Sequence, residues 1–218
     1  MRGGHRPPAC PGCPSQYPPP RTPYACGDQV GTTLLTLTPD NADAGLPVIQ
    51  GVYVLFGGPE QAPRAVLDGI ELTNLRTSAV SVLGARLAGT TTTAAHLVLF
   101  GTGVQAWEHA VTFCDVLQVG RITVVGRNAE RAQALAARIA AELGVPAEAG
   151  GDDAVAWAGE VVLGLESGAV TERELVTFTD LATGRVRRKA GVPAVVVTTG
   201  MPWQDLVVAS AVMDALES

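Results

Sequence analysis

Charge is scarce in this chain. Asp, Glu, Lys and Arg make up 17% of its 218 residues. So little charge leaves apolar surface for a partner to cover, and an oligomer is expected. Basic residues form no stripe. The net charge is −6, and the single basic cluster, Arg185 to Lys189, reads as a solvated loop. Nucleic acid is therefore not an expected partner. Long apolar runs are also missing, so no membrane partner is expected. Arg2 and Arg6 have no apolar stretch behind them, unlike a secretory leader, and cytoplasmic residence is the expectation that follows. Cysteine is sparse: Cys10, Cys13, Cys26 and Cys114. The Cys10-Pro-Gly-Cys13 spacing, with His5 and Cys26 nearby, leaves a mononuclear zinc site open. The surrounding segment, poor in apolar residues and crowded with prolines, has instead the composition of a disordered tail, and no metal is expected.

What the chain does have is apolar content, 47% of residues with a mean hydropathy of +0.24, enough for an ample core. Its most informative stretch is Leu97 to Asn128, LVLFGTGVQAWEHAVTFCDVLQVGRITVVGRN. An apolar run, Leu97 to Phe100, meets a Gly101-x-Gly103-x-x-Ala106 turn. A helical pattern follows, then a second apolar run, Ile122 to Val125. Strand, glycine turn, helix and strand in this order open a dinucleotide-binding fold. Gly101 permits the tight turn, Gly103 lets backbone approach a pyrophosphate, and Ala106 keeps helix and strand close. The free N–H groups at the helix start then face the anion. After the second strand an NAD-selective site sets an Asp or Glu on the ribose hydroxyls. Here stand Gly126, Arg127 and Asn128. A guanidinium with no carboxylate beside it suits a 2′-phosphate, which favours NADP over NAD. Arg127 could equally be a surface residue beside a helix cap, and Asn128 can serve as that cap.

Residues 1–30 carry no period and read as an extension. Leu34 to Thr38, Val48 to Phe56 (interrupted at Gly51) and Arg64 to Leu67 read as strands of an antiparallel sheet. A helix follows from Leu72 to Leu87, with a buried stripe of Leu72, Leu75, Ala79, Val80, Leu83 and Leu87. Another runs from the Asn128 cap to Gly144, burying Ala132, Leu135, Ala136, Ile139 and Leu143. Val161 to Leu165 and Ala194 to Thr199 read as strands. Thr171-x-x-Glu174 reads as a capping box opening a helix through Leu181 to Gly184, and a last helix spans Pro202 to Leu216. Three or four strands can be counted in this half, against about six in a full dinucleotide domain.

Three segments together resemble the ornithine cyclodeaminase/μ-crystallin family. They are Thr38 to Gly51 running on to LDGIELTNLRTSAVS (Leu67 to Ser81), FGTGVQA (Phe100 to Ala106), and GMPWQDLVVA (Gly200 to Ala209). The resemblance covers most of residues 31–218. It implies an α/β fold in which a Rossmann-type parallel-sheet domain, here shortened, is inserted in an α+β dimerisation and substrate domain. Residues 31–94, completed by 200–218, would form the latter lobe, and 95–199 the NAD(P)-binding one. Members act on amino acids, imino acids or ketimines, for example converting ornithine to proline and ammonia or reducing cyclic ketimines, and μ-crystallin binds a small ligand.

The resemblance further implies that Arg76 stands between substrate carboxylate and cofactor phosphate, as the residue of catalytic interest, since a guanidinium can grip either anion by two bonds. Thr77, Gly101, Thr102, Gly103, Val104, Gln105, Arg127, Asn128 and Thr198 would contact the cofactor, with Gly126 standing where NAD-using members have their acid. Thr33 departs from the pattern, replacing a lysine that holds the substrate carboxylate. Arg21 corresponds only loosely to an early arginine. Between Ala154 and Val161 the chain is roughly fifty residues short of a full nucleotide domain. That stretch holds the family's catalytic aspartate, a proton shuttle at the reacting amine. Glu160 and Glu166 lie near but do not match its motif. An active reductase or cyclodeaminase, a catalytically impaired NADPH- or small-ligand-binding protein, and a poorly folding deleted product all stay open. A shikimate-dehydrogenase-like NADP oxidoreductase shares the glycine turn and the Gly-Arg-Asn ending, and the LDG-x-x-LT-x-LRT segment argues against it.

Overall fold

The computed structural model describes residues 25–26, 28–90, 92–151, 160–163, 176–187, 194–197 and 202–218. The chain forms two compact units, one of residues 1–73 with 201–218, the other of residues 74–200. The second unit is thus inserted in the first along the chain.

The first unit holds an antiparallel sheet of β1 (Ala25–Cys26), β2 (Gln29–Leu37), β3 (Ile49–Gly57) and β4 (Ala62–Asp68), in spatial order 1-2-3-4. Chain reversals come from a 3-10 turn at Pro39–Ala42 and a tight turn at Gly58, whose φ is +78°. Gly51 does not interrupt β3. It pairs with Leu35, and a side chain there would come within 2.7 Å of the Leu34 carbonyl. Paired residues share a face. Tyr53 and Leu55 point to the inner face, where they join Leu72 and, from α5 (Pro202–Glu217), Leu206 and Ala209 in this unit's core. Each leucine burial of this kind stabilises by about 1.5–3 kcal/mol. On the opposite face Leu34 pairs with Val52, and Val54 with Val66. Leu34 is 62% exposed, Val52 40% and Val66 69%.

Helix α1 (Gly69–Leu87) starts earlier than its apolar pattern suggests, because the Asp68 carboxylate accepts from the N–H groups of Ile70 (2.8 Å) and Glu71 (3.1 Å). Its buried side also differs from the expected stripe. Leu75 and Leu83 are exposed, while Asn74, Arg76, Ser78, Ser81, Val82 and Ala85 are buried. The face turned inward is mostly small and polar, and hydrophobicity alone could not find it.

The second unit is a Rossmann-type α/β layer. Its parallel sheet has the order β11-β10-β6-β8-β9, from β6 (Leu97–Phe100), β8 (Ile122–Val125), β9 (Ala147–Gly150), β10 (Glu160–Leu163) and β11 (Ala194–Val197). All four pairings are parallel. β5 (Thr93–Ala94) and β7 (Gln118–Val119) form a separate two-stranded ribbon. Among the described residues the parallel sheet thus has five strands, where three or four were expected. The extra one, β9, reads Ala-Glu-Ala-Gly and lacks the β-branched residues that mark strands. Between β6 and β8 runs α2 (Val104–Val116), and between β8 and β9 runs α3 (Ala129–Leu143). Leu97, Leu99, Ile122 and Val124 meet Ala110 and Phe113 of α2 and Ala132, Leu135, Ala136 and Ile139 of α3 in one core, with Leu143 at its edge. α3 starts on the Asn128 cap, whose side chain accepts from Arg131 N–H at 3.0 Å, and stops at Gly144 with φ +68°. α4 (Phe178–Ala182) is shorter than expected. It opens on a capping box of Thr177 and Asp180, and residues 171–175 lie outside those described.

Candidate functional site

In an open parallel sheet, ligands bind beyond the carboxyl ends of the strands, where the strand order reverses. Here that point lies beside β6, whose neighbours β8 and β10 lead to opposite edges. The Gly101–Gly103 turn leaves the carboxyl end of β6 and enters α2. Gly101 takes φ +124°, a conformation that favours glycine, and its N–H donates to the Val125 carbonyl at 2.8 Å, which fixes the turn against the end of β8.

Gly103 is different. Its φ of −93° suits any residue, and a Cβ built there would meet nothing within 4 Å. The fold itself does not demand glycine at this position. Backbone left bare over open space, at the N-cap of a helix with no side-chain cap, is a cradle that a side chain would fill. Val104 and Gln105 follow in the first turn, Val104 exposed and Gln105 half-buried. The arrangement suits an anion approaching the backbone N–H groups.

Arg76 and Thr77 sit on α1, buried and half-buried. Two turns of polar side chains hold this part of α1 against α2. Gln105 Nε2 donates to Asn74 Oδ1 at 2.6 Å, Thr112 Oγ1 donates to Ser78 Oγ at 2.8 Å, and Ser81 Oγ lies 2.8 Å from His109 Nε2. His109 Nδ1 lies 2.6 Å from the Gln105 carbonyl, an acceptor, so Nδ1 carries the proton and Nε2 receives one from Ser81. Burial pushes the His109 pKa down, against a smaller upward pull from the Gln105 carbonyl, which keeps this neutral form. Asn74 Nδ2 and Gln105 Oε1 are buried without a protein partner. Among the described residues, a donor and an acceptor thus stand unmatched between α1 and α2.

Asn74, Ser78, Ser81, His109 and Thr112 were not among the residues singled out by sequence. Their signal was the matched spacing of four and three on the two helices (74, 78, 81 and 105, 109, 112).

Thr102 is half-buried in the turn, Arg127 and Asn128 are exposed just past β8, and Gly126 separates them from the strand. Arg21, Thr198 and Glu166 lie outside the described residues. Glu160 is the first residue of β10 and pairs with Leu97, the first of β6. It therefore sits at the amino end of the sheet, away from the glycine turn. In the first unit Thr33 pairs with Tyr53, whose buried hydroxyl has its pKa pushed up to about 12 by burial and, to a lesser extent, by Asp205. Neither supplies a cation. Cys114 is half-buried, its thiol pKa raised by burial. Among the described residues no group of three metal-ligating side chains occurs, and no helix is long and apolar enough to cross a membrane.

Residues 22–165 match the profile of the Ornithine cyclodeaminase/mu-crystallin family. The chain belongs to this family. Among curated members, it is 38% identical over 100 residues to "Delta(1)-pyrroline-2-carboxylate reductase 1" of Burkholderia multivorans, covering 45% of the chain and 31% of the relative. The matched region spans about a third of the length of such relatives (31%, 34% and 37%). Two solved structures share the fold. One is a Delta(1)-pyrroline-2-carboxylate reductase of Thermococcus litoralis in complex with NADH and L-proline (17% identity, TM-score 0.68, 86% of this chain and 78% of that one). The other is the iminosuccinate reductase of Paracoccus denitrificans in complex with NAD+ (19% identity, TM-score 0.69, 87% and 77%). With family membership shown, the shikimate-dehydrogenase-like alternative falls away.

Proposed function

We propose that this family member binds a nicotinamide dinucleotide at the Gly101–Gly103 turn, NADP in preference to NAD, and that its reaction class is the reduction of a cyclic ketimine or related imino acid, or the conversion of ornithine to proline and ammonia. The bare backbone at Gly103, over open space at the start of α2, carries the reading. Gly101, Thr102, Gly103, Val104 and Gln105 would hold the pyrophosphate through backbone N–H groups. Arg127 would pair with the 2′-phosphate and Asn128 would flank it. Arg76 and Thr77 would meet the cofactor's phosphate side and the carboxylate of a small amino-acid or imino-acid substrate, with Thr198 near the nicotinamide. The dihydronicotinamide supplies a hydride when bound. The chain's own residues bind, orient and exclude water. Relatives named for pyrroline-2-carboxylate reduction support the substrate class.

A second reading, a catalytically impaired protein that keeps the nucleotide, is favoured by two observations. Thr33 with its neighbour Tyr53 offers no cation where the family pattern has a lysine. Glu160, near in sequence to the missing acid, stands at the wrong end of the sheet. NADPH fluorescence titration, run beside turnover assays with ornithine and with a cyclic ketimine, separates the two. Tight binding with family-like turnover supports the reductase, and binding without turnover supports the impaired protein. We also assign the exposed apolar face around Leu34, Val52 and Val66 to a homodimer contact.

A further inference from the structure

Gly126 follows β8 at the position where a dinucleotide fold selective for NAD sets its ribose-binding carboxylate. Its backbone is not in the left-handed region. The need for glycine comes from a neighbour. A Cβ built at position 126 would lie 2.5 Å from Thr102 Cγ2, with Ala132 Cβ next at 3.7 Å. Thr102 cannot easily yield. It belongs to a turn tied to β8 by the Gly101 N–H to Val125 carbonyl bond at 2.8 Å. It is also β-branched, so most rotations about χ1 exchange one heavy atom for another in the same space.

We propose that Thr102 is a specificity-determining residue, its methyl group filling the space that a carboxylate side chain at position 126 would need. With Thr102 in place, the ribose end of the nucleotide faces Gly126 and the Arg127 guanidinium, never an acid. The pair 102 and 126 thus keeps the site clear of negative charge, and the Arg127 guanidinium acts there unopposed. The proposal rests on the reading of the glycine turn as a dinucleotide site.

The test is a double-mutant cycle in the full chain: wild type, Gly126→Asp, Thr102→Ala and the double variant. NADPH and NADH dissociation constants are read by dihydronicotinamide fluorescence, and melting temperature is read without nucleotide. Gly126→Asp alone should weaken both nucleotides by about tenfold or more and lower the melting temperature, because the carboxylate displaces the turn. Thr102→Ala alone should leave the ratio of the two constants near that of wild type. The double variant should recover the melting temperature and bind NADH at least about tenfold better than Gly126→Asp, with NADPH still weak from charge repulsion. Effects of the two substitutions that simply add overturn the role of Thr102. A wild type that binds neither nucleotide, with the melting temperatures still coupled, instead overturns the reading of the turn and the specificity role with it.

Discussion

Ser81 on α1 and His109 on α2 are joined by a 2.8 Å hydrogen bond in which the serine hydroxyl donates to the ring. The other ring nitrogen holds the carbonyl of Gln105, in the first turn after the glycines. One buried imidazole therefore ties the helix that carries Arg76 to the helix that opens at the candidate phosphate site. Both ring nitrogens are used, so no isostere replaces the pair of bonds in full.

His109→Phe should destabilise the chain by about 1–3 kcal/mol, the cost of leaving buried partners unmatched. A pH effect accompanies it. Burial lowers the His109 pKa below its ordinary 6.5. Between the lowered value and 6.5 the unfolded chain holds more protons than the native one, so stability rises with pH in that window. The contribution is complete above 6.5 and is lost as pH falls toward the native pKa. Melting curves from pH 8 to pH 5 check this, and the difference between wild type and His109→Phe should shrink at the acid end. A constant difference contradicts the assignment.

Gly31→Ala should be severe. A Cβ there would fall 1.8 Å from the Tyr53 hydroxyl oxygen, and Tyr53 is buried in the first unit's core. Overpacking of this kind costs about 1–3 kcal/mol or more. Urea unfolding measures it. Tyr53→Ala in the same chain should make the loss less than additive, because the opposing ring is gone.

The helices and strands built on apolar period were legible in the sequence. β6, β8 and α3 fall where the pattern puts them, and α3 has its Asn128 cap and Gly144 stop. β9 was not legible, since Ala147 and Ala149 bury too little to announce a strand. The inner face of α1 was hidden for a different reason. Asn74, Ser78 and Ser81 face Gln105, Thr112 and His109 through one hydrogen bond each, and a pairing between helices leaves no mark in either helix alone. In the candidate site the glycine turn was legible for two reasons: Gly101 takes a φ that favours glycine, and Gly103 leaves its backbone bare over open space. The Thr102–Gly126 contact was not, since it joins two loops through space.

Arg127→Asp should weaken NADPH by at least about tenfold while NADH changes by less than about threefold, since the lost pair is with the extra phosphate and a carboxylate now repels it. Fluorescence titration at fixed ionic strength reads both constants. Equal losses would contradict the 2′-phosphate assignment.

Leu34→Asp with Val66→Asp should shift a dimer to a monomer in sedimentation or gel filtration, because charge on the exposed sheet face cannot be desolvated in a symmetric contact. An unchanged molecular mass would place the dimer contact elsewhere.

The most direct test of the central claim is calorimetric titration of the full chain with NADPH and NADH beside a Gly103→Val variant. Gly103 has open space and an ordinary φ, so valine should leave the melting temperature nearly unchanged while it fills the cradle. Binding of NADPH by wild type, and its loss in a Gly103→Val chain that still melts normally, is the predicted result. No heat with either nucleotide, or full binding by Gly103→Val, would contradict the account.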